Sequence, residues 1–185
     1  MIFDEKEKLE EYELHKGGTI SYYPNFLSKR DQKHLLDELI EGKMWKKKKN
    51  NRLTKDVMFS NTEFMLYVKD RIENRINQFS IEKRIDTYIA HYYRNGSDYA
   101  CYKYDRGVSA IVSLGVRRRF VLREKYDDMN RYIRSGLPQY EIYLKSGSLL
   151  IMNDVAYKYS LPKVRKKDEC DGKYGYVQLC LSVKE

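Results

Sequence analysis

Cysteine, proline, tryptophan and histidine are all scarce here. The 185 residues hold 3 cysteines, 3 prolines, 1 tryptophan and 3 histidines. Cys101, Cys170 and Cys180 are an odd set with no C-x-x-C spacing. They indicate neither a disulfide framework nor a structural zinc site, and they suit a reducing compartment. No H-x-x-x-H, no G-x-S-x-G and no phosphate-cradling glycine loop is present, which argues against the hydrolases and nucleotide-binding folds those motifs mark. No apolar run approaches the roughly 18 residues of a membrane span, so no membrane partner is expected. Met1 to Glu13 mixes both charge signs, unlike a secretory signal. Charge and tyrosine are abundant instead. Lys plus Arg is 36 against 27 for Asp plus Glu, a net charge of +9, and there are 18 tyrosines. A hydrophobic share of 42% argues against general disorder. The composition reads as one soluble intracellular domain over 1–185, cytoplasmic or nuclear. The surplus of cations favours an anionic partner, most simply nucleic acid held weakly and without sequence preference.

The order of the chain is helices first, strands afterwards. Residues 1–18 read as a polar helix or arm ending at Gly17-Gly18. Residues 19–85 read as helical support, and 86–185 as the sheet-forming core. Thr19 to Tyr23 is β-rich and stops at Pro24. Ser28 offers an N-cap with Asp31 in the first turn, and Leu35, Leu36, Leu39 and Ile40 follow at helical spacing. A second helix starts near Asn61 or Thr62, with Phe64, Val68, Ile72, Ile76 and Phe79 along one stripe. Strands are expected at Ile85 to Tyr93, Ser109 to Val116, Phe120 to Arg123, Tyr140 to Leu144, Leu149 to Met152 and Tyr176 to Val183. In the last, Val177, Leu179, Leu181 and Val183 alternate with Tyr176, Gln178, Cys180 and Ser182. This pattern is α+β with a mostly antiparallel sheet or sandwich. Asp168 to Lys173 is the best candidate for a mobile loop.

Three stretches carry more. One is His91-Tyr92-Tyr93-Arg94-Asn95-Gly96-Ser97-Asp98-Tyr99, followed by Lys103-Tyr104-Asp105. Another is Ala110-Ile111-Val112-Ser113-Leu114-Gly115, then Arg119-Phe120-Val121-Leu122-Arg123-Glu124-Lys125. The third is Gly147-Ser148-Leu149-Leu150-Ile151-Met152-Asn153, then Tyr157-Lys158-Tyr159-Ser160-Leu161-Pro162. In order and wording they resemble the AlkB-like branch of the iron(II)/2-oxoglutarate dioxygenases, over about residues 88–183. Tyr23-Pro24-Asn25-Phe26-Leu27 and Trp45 are a weaker echo of that family's N-terminal part. The resemblance implies a double-stranded β-helix, or jelly-roll, with the N-terminal helices packed outside it. It also implies a pocket where Tyr93, Asp105, Tyr159, Tyr176 and Ser182 converge.

The departures from the family fall on its chemistry. Lys103 stands at the first iron-binding histidine and Tyr159 at the second; Asp105 matches the aspartate. Tyr176 and Ser182 stand where two arginines bind the cosubstrate's carboxylates or orient the site. His91 stands at an asparagine, and only Tyr93 of that motif matches. A lysine ammonium has no lone pair at neutral pH and repels a dication. A tyrosine keeps its proton to pH near 10. Neither tyrosine nor serine supplies the bidentate fork of arginine. No histidine follows His91 anywhere in the chain.

The expectation is therefore a catalytically degenerate protein of AlkB type with a binding or scaffolding role, needing no cofactor and holding no metal. Two alternatives stay open. One is an active dioxygenase on alkylated nucleic acid, using iron(II) and 2-oxoglutarate at a non-standard site. The other is a structural protein, for example a viral particle component, that reuses the fold and binds protein. Lys103 and Asp105, two apart, share a strand face; they form either a charge pair at the old iron position or an exposed pair of little consequence. Arg117, Arg118 and Arg119 beside Phe120, with Lys163, Arg165, Lys166 and Lys167, are the candidate nucleic-acid contacts. Lys46 to Lys49 reads as a solvated surface.

Overall fold

The computed structural model describes residues 9–15, 17–41, 45–47, 53–56, 62–78, 87–93, 107–124, 139–153, 159–160 and 176–182. The N-terminal segment corrects the expected helix or arm. Glu10–Glu13 is a strand, β1, paired antiparallel with β2 (Thr19–Tyr23). Alternation decides this locally. Tyr12 turns toward the core while Glu11 and Glu13 stay exposed. Gly17 and Gly18, at φ 83° and 81°, make the turn between the strands.

Helix α1 (Lys29–Glu41) begins where Ser28 and Asp31 cap it reciprocally. The Ser28 hydroxyl donates to Asp31 Oδ2 at 2.8 Å, and the Asp31 backbone N–H donates to Ser28 Oγ at 3.2 Å. Helix α2 (Glu63–Ile76) is capped by Thr62, whose side chain accepts from the Met65 backbone N–H at 3.1 Å. Its buried face is Met65, Val68, Ile72 and Ile76, with Phe64 only partly buried. Phe79 lies outside the described residues.

The remaining strands are β3 (Lys46–Lys47), β4 (Leu53–Asp56), β5 (Thr87–Tyr93), β6 (Ser109–Gly115), β7 (Arg118–Glu124), β8 (Gln139–Leu144), β9 (Ser148–Asn153), β10 (Tyr159–Ser160) and β11 (Tyr176–Ser182). They form an eight-stranded sheet in the order β1-β2-β9-β6-β11-β5-β4-β3 and a three-stranded sheet in the order β10-β7-β8. Every pairing is antiparallel. The period-two pattern divides the large sheet into two faces. Val177, Leu179 and Leu181 of β11, Ala110, Val112 and Leu114 of β6 and Leu149 and Ile151 of β9 pack with α1 and α2. The alternate positions, Ile111, Leu150 and Met152, meet Phe120, Leu122, Ile142 and Leu144 of the small sheet. The result is the expected α+β jelly-roll with two helices outside it. No helix among the described residues is long and apolar enough to cross a membrane.

The β8–β9 turn ties the two cores together. Gly147 donates its N–H to the Ser113 carbonyl at 2.7 Å and accepts from the Leu27 N–H at 2.9 Å. Its φ is +74°, and a Cβ built there collides with the Gln32 side chain, 2.6 Å from Cγ. Gln32 in turn donates to the Leu27 carbonyl at 2.9 Å. Gly147→Ala is therefore expected to destabilise the fold by about 2 kcal/mol, from left-handed backbone strain and a displaced hydrogen bond. Urea denaturation checks this; a midpoint equal to wild type would show that Gln32 moves aside without cost.

Candidate functional site

The inner face of the large sheet turns polar at one end. Tyr176, Gln178 and Cys180 of β11 share that face with His91 and Tyr93 of β5 and Ser113 of β6. The register lines them up: Tyr176 opposite Tyr93, and Gln178 between His91 and Ser113. Hydrogen bonds join them. Gln178 Nε2 donates to the Tyr176 hydroxyl at 2.5 Å, and Tyr93 donates to Gln178 Oε1 at 3.4 Å. The Ser113 and Tyr176 hydroxyls lie 3.1 Å apart. The Tyr93 and Tyr176 ring centroids are 5.6 Å apart, and the His91 ring lies 6.5 Å from Tyr93.

The facing sheet adds a cation. Arg118, Phe120 and Leu122 form the inward row of β7, so Arg118 enters the same space and is only 6% exposed. Its Cζ stands 4.5 Å from the Tyr93 ring centroid and 5.1 Å from that of Tyr176. Such stacking is worth up to about 2 kcal/mol when desolvated. Burial pushes the Tyr176 hydroxyl well above the ordinary tyrosine range. The Ser113 hydrogen bond and the Arg118 charge act in the opposite direction, but burial dominates.

Strand parity also separates the three arginines. Arg117 is exposed and lies over the Tyr143 ring at 4.6 Å. Arg119 pairs with Glu141 at 2.6 Å on the outer side of the small sheet. Arg118 is buried inward, so it cannot meet a phosphate on the surface. That corrects its place among the nucleic-acid contacts. Of the pocket expected from the motifs, Tyr93 and Tyr176 do meet, and His91 lies beside them. Tyr159 is on β10 opposite Glu124, and Ser182 ends β11 opposite Thr87 and Ser109; their side chains lie outside the described residues. Lys103, Asp105, Lys163, Arg165, Lys166, Lys167 and the loop Asp168 to Lys173 lie wholly outside them. Arg118, Gln178 and Ser113 are the pocket members that motif reasoning missed. Gln178 was readable, because it shares the Tyr176 face by parity.

No family model matches the chain, and no curated protein does. Solved structures do. SnoN, a non-heme α-ketoglutarate-dependent epimerase from nogalamycin biosynthesis, aligns over 88% of this chain and 78% of its own, with TM-score 0.62 and 10% identity. A Pseudomonas putida prolyl-4-hydroxylase covers 90% and 92%, with TM-score 0.59 and 12% identity. HygX from Streptomyces hygroscopicus, solved with nickel and 2-oxoglutarate, covers 88% and 81%, with TM-score 0.57 and 11% identity. The fold is that of the iron/2-oxoglutarate dioxygenases. The expectation that the chain needs no cofactor is thereby overturned. SnoN depends on α-ketoglutarate, and HygX holds nickel and 2-oxoglutarate on this same framework.

The residues of this chain fit the two groups unequally. A two-histidine, one-carboxylate iron triad requires two imidazoles at one point. His15 is exposed beyond β1. His34 is on α1, stacked on Phe64 at 4.0 Å with Nε2 3.3 Å from Glu38. Only His91 of the three lies on the inner face, so that triad does not fit. Among the described residues no group of three His, Cys, Asp or Glu could hold a metal. A carboxylate is a different case. The buried Arg118 guanidinium, with the Tyr93 hydroxyl on the same pocket, is a donor set suited to one.

Proposed function

We propose that the chain is a catalytically degenerate protein of AlkB type, which binds nucleic acid rather than oxidising it. The observation that carries this reading is the position of the histidines: one on the inner face, two outside it. The AlkB-like motifs along residues 88–183 support that branch over others with the fold. The net charge of +9 supports an anionic macromolecule as partner. On the outer side of β7 and β8, exposed Arg117 and exposed Tyr143 stack together, a pairing able to meet both a phosphate and a base face.

Anaerobic titration with iron(II) and 2-oxoglutarate, followed by turnover on alkylated and unmodified oligonucleotides, tests the proposal. The expected result is no succinate above background and equal binding to both strands. Affinity should fall with salt, and the log–log slope should become shallower by about one on Arg117→Ala. Succinate coupled to loss of the alkyl group would establish the active dioxygenase instead. No binding at low salt would move the chain to the protein-binding, structural class.

A further inference from the structure

We propose that the chain assembles head-to-tail, the acidic edge of the large sheet in one copy pairing with the basic edge in the next. The assembly does not depend on the nucleic-acid reading. The sheet order puts β1 at one end and β3 at the other, and among the described residues no strand lies beyond either. The small sheet differs. Its β8 edge is met by the Tyr22 hydroxyl, which donates to the Tyr143 carbonyl and accepts from the Lys145 N–H, both at 3.0 Å.

The backbone of β1 is set to continue the sheet. Leu14 donates its N–H to the Gly18 carbonyl at 3.0 Å. In an antiparallel pair such bonds fall on alternate residues, so Tyr12 and Glu10 bond toward β2. Glu11 and Glu13 then turn their N–H and C=O groups away from β2, and both side chains are exposed. An edge of this kind is a template for another strand. Direction fits as well. With eight strands, all paired antiparallel, β1 and β3 run in opposite directions. A copy in the same orientation therefore brings its β3 antiparallel to β1, and the alternation continues through the seam.

Charge selects the pairing. Strand β1 carries Glu10, Glu11 and Glu13; β3 is Lys46–Lys47, and the sequence continues as Lys48-Lys49. Opposite charges across a strand pair are stabilising, and like charges directly opposite are destabilising. Two β1 edges set glutamate against glutamate, and two β3 edges set lysine against lysine. The unlike edges match. Followed through the register, Glu11 and Lys47 occupy the same face of the sheet, so setting them opposite keeps both faces continuous. A contact between unlike edges is heterologous and repeats from copy to copy rather than closing at two.

Sedimentation velocity on the whole chain, cleared of nucleic acid with nuclease, tests the proposal. At low salt the mean mass should climb with protein concentration past that of a dimer, and high salt should return it toward the monomer. Glu11→Lys with Glu13→Lys leaves two basic edges; Lys46→Glu with Lys47→Glu leaves two acidic ones. Alone, each double variant should associate about tenfold or more weakly than wild type. Mixed one to one they should assemble again, because every seam then joins lysine to glutamate. Lys29→Glu, a charge change on α1 away from both edges, should assemble as wild type. Where a reversed variant does not fold, hydrogen exchange of wild type decides. The Glu11 and Glu13 amides should exchange several-fold more slowly in the assembled protein than in the dilute monomer. A wild type that stays monomeric at low salt overturns the proposal. So do a mixture that stays monomeric, a reversed variant that assembles alone like wild type, and exchange at Glu11 and Glu13 that assembly leaves unchanged.

Discussion

Tyr176→Ala is expected to lower the unfolding free energy by about 4 kcal/mol, near the upper range for truncating a core aromatic ring. Tyr176 is 2% exposed, and its ring fills the space between the sheets. Removing it leaves a cavity against Tyr93 and strips one of the two rings that cover Arg118. It also removes the acceptor of Gln178 Nε2 and the partner of the Ser113 hydroxyl. Buried donors left unmade cost about 1–3 kcal/mol each, unless water enters. Tyr176→Phe separates the contributions. The ring and its stacking remain while the hydroxyl goes, so a loss of about 2 kcal/mol is expected. Urea midpoints with unchanged m-values check both. A Tyr176→Ala loss below about 1 kcal/mol would mean that the polar end of the barrel is loosely packed and that the geometry of Arg118 is not held by its neighbours.

That dependence shows why the pocket was only partly legible in the sequence. Tyr176, Gln178 and Cys180 could be placed on one face because Val177, Leu179 and Leu181 mark the other; alternation is a local signal. The α2 stripe was legible for the same reason, at the helical period. Arg118 was not. Three consecutive arginines look like a surface cluster, and the apolar run that marks a strand begins only at Phe120. Arg118 goes inward because β7 starts there and pairs with Leu144 in register. A strand's first residue is set by tertiary pairing, which leaves no mark on local composition. Strand β1 was missed for a related reason. Its Glu-Glu-Tyr-Glu sequence has weak strand preference, and Tyr12 alone gives it a buried side. The order β9-β6-β11-β5 joins distant segments, so period and propensity could give only an antiparallel sandwich. The motifs selected the double-stranded β-helix.

The inward arginine gives the polar end of the barrel its charge from the sheet opposite β11. Arg118 stacks on Tyr176, so the cation and the ring that covers it come from different strands of facing sheets. The stabilities of Tyr176 and Arg118 are then coupled. Double-mutant analysis of Tyr176→Phe with Arg118→Lys should show effects that do not simply add.

Alkaline pH gives the clearest signature of this arrangement. Tyr176 is held protonated above the ordinary tyrosine pKa of 10, chiefly by burial. In the unfolded chain the same hydroxyl ionises near pH 10. Above that pH the folded state therefore binds one proton more than the unfolded state. Stability falls as pH rises wherever the folded state binds more protons, with a slope reaching about 1.4 kcal/mol per pH unit for one group. Below pH 10 both states are protonated, and the contribution of the hydroxyl is fully present. Of the groups facing Tyr176, Arg118 stays charged throughout this range, Ser113 and Gln178 do not titrate, and Tyr93 is a second tyrosine whose ionisation would raise the Tyr176 hydroxyl further. Other tyrosines ionise in the same window, so the comparison must be with Tyr176→Phe, in which they are unchanged. Wild type should be more stable than Tyr176→Phe at pH 8, and the gap should close by about 1.4 kcal/mol between pH 10.5 and 11.5. Denaturant titrations at half-unit intervals measure it. Parallel loss of stability in the two proteins would show that Tyr176 reaches solvent readily, and the sealed polar end of the barrel would have to be abandoned.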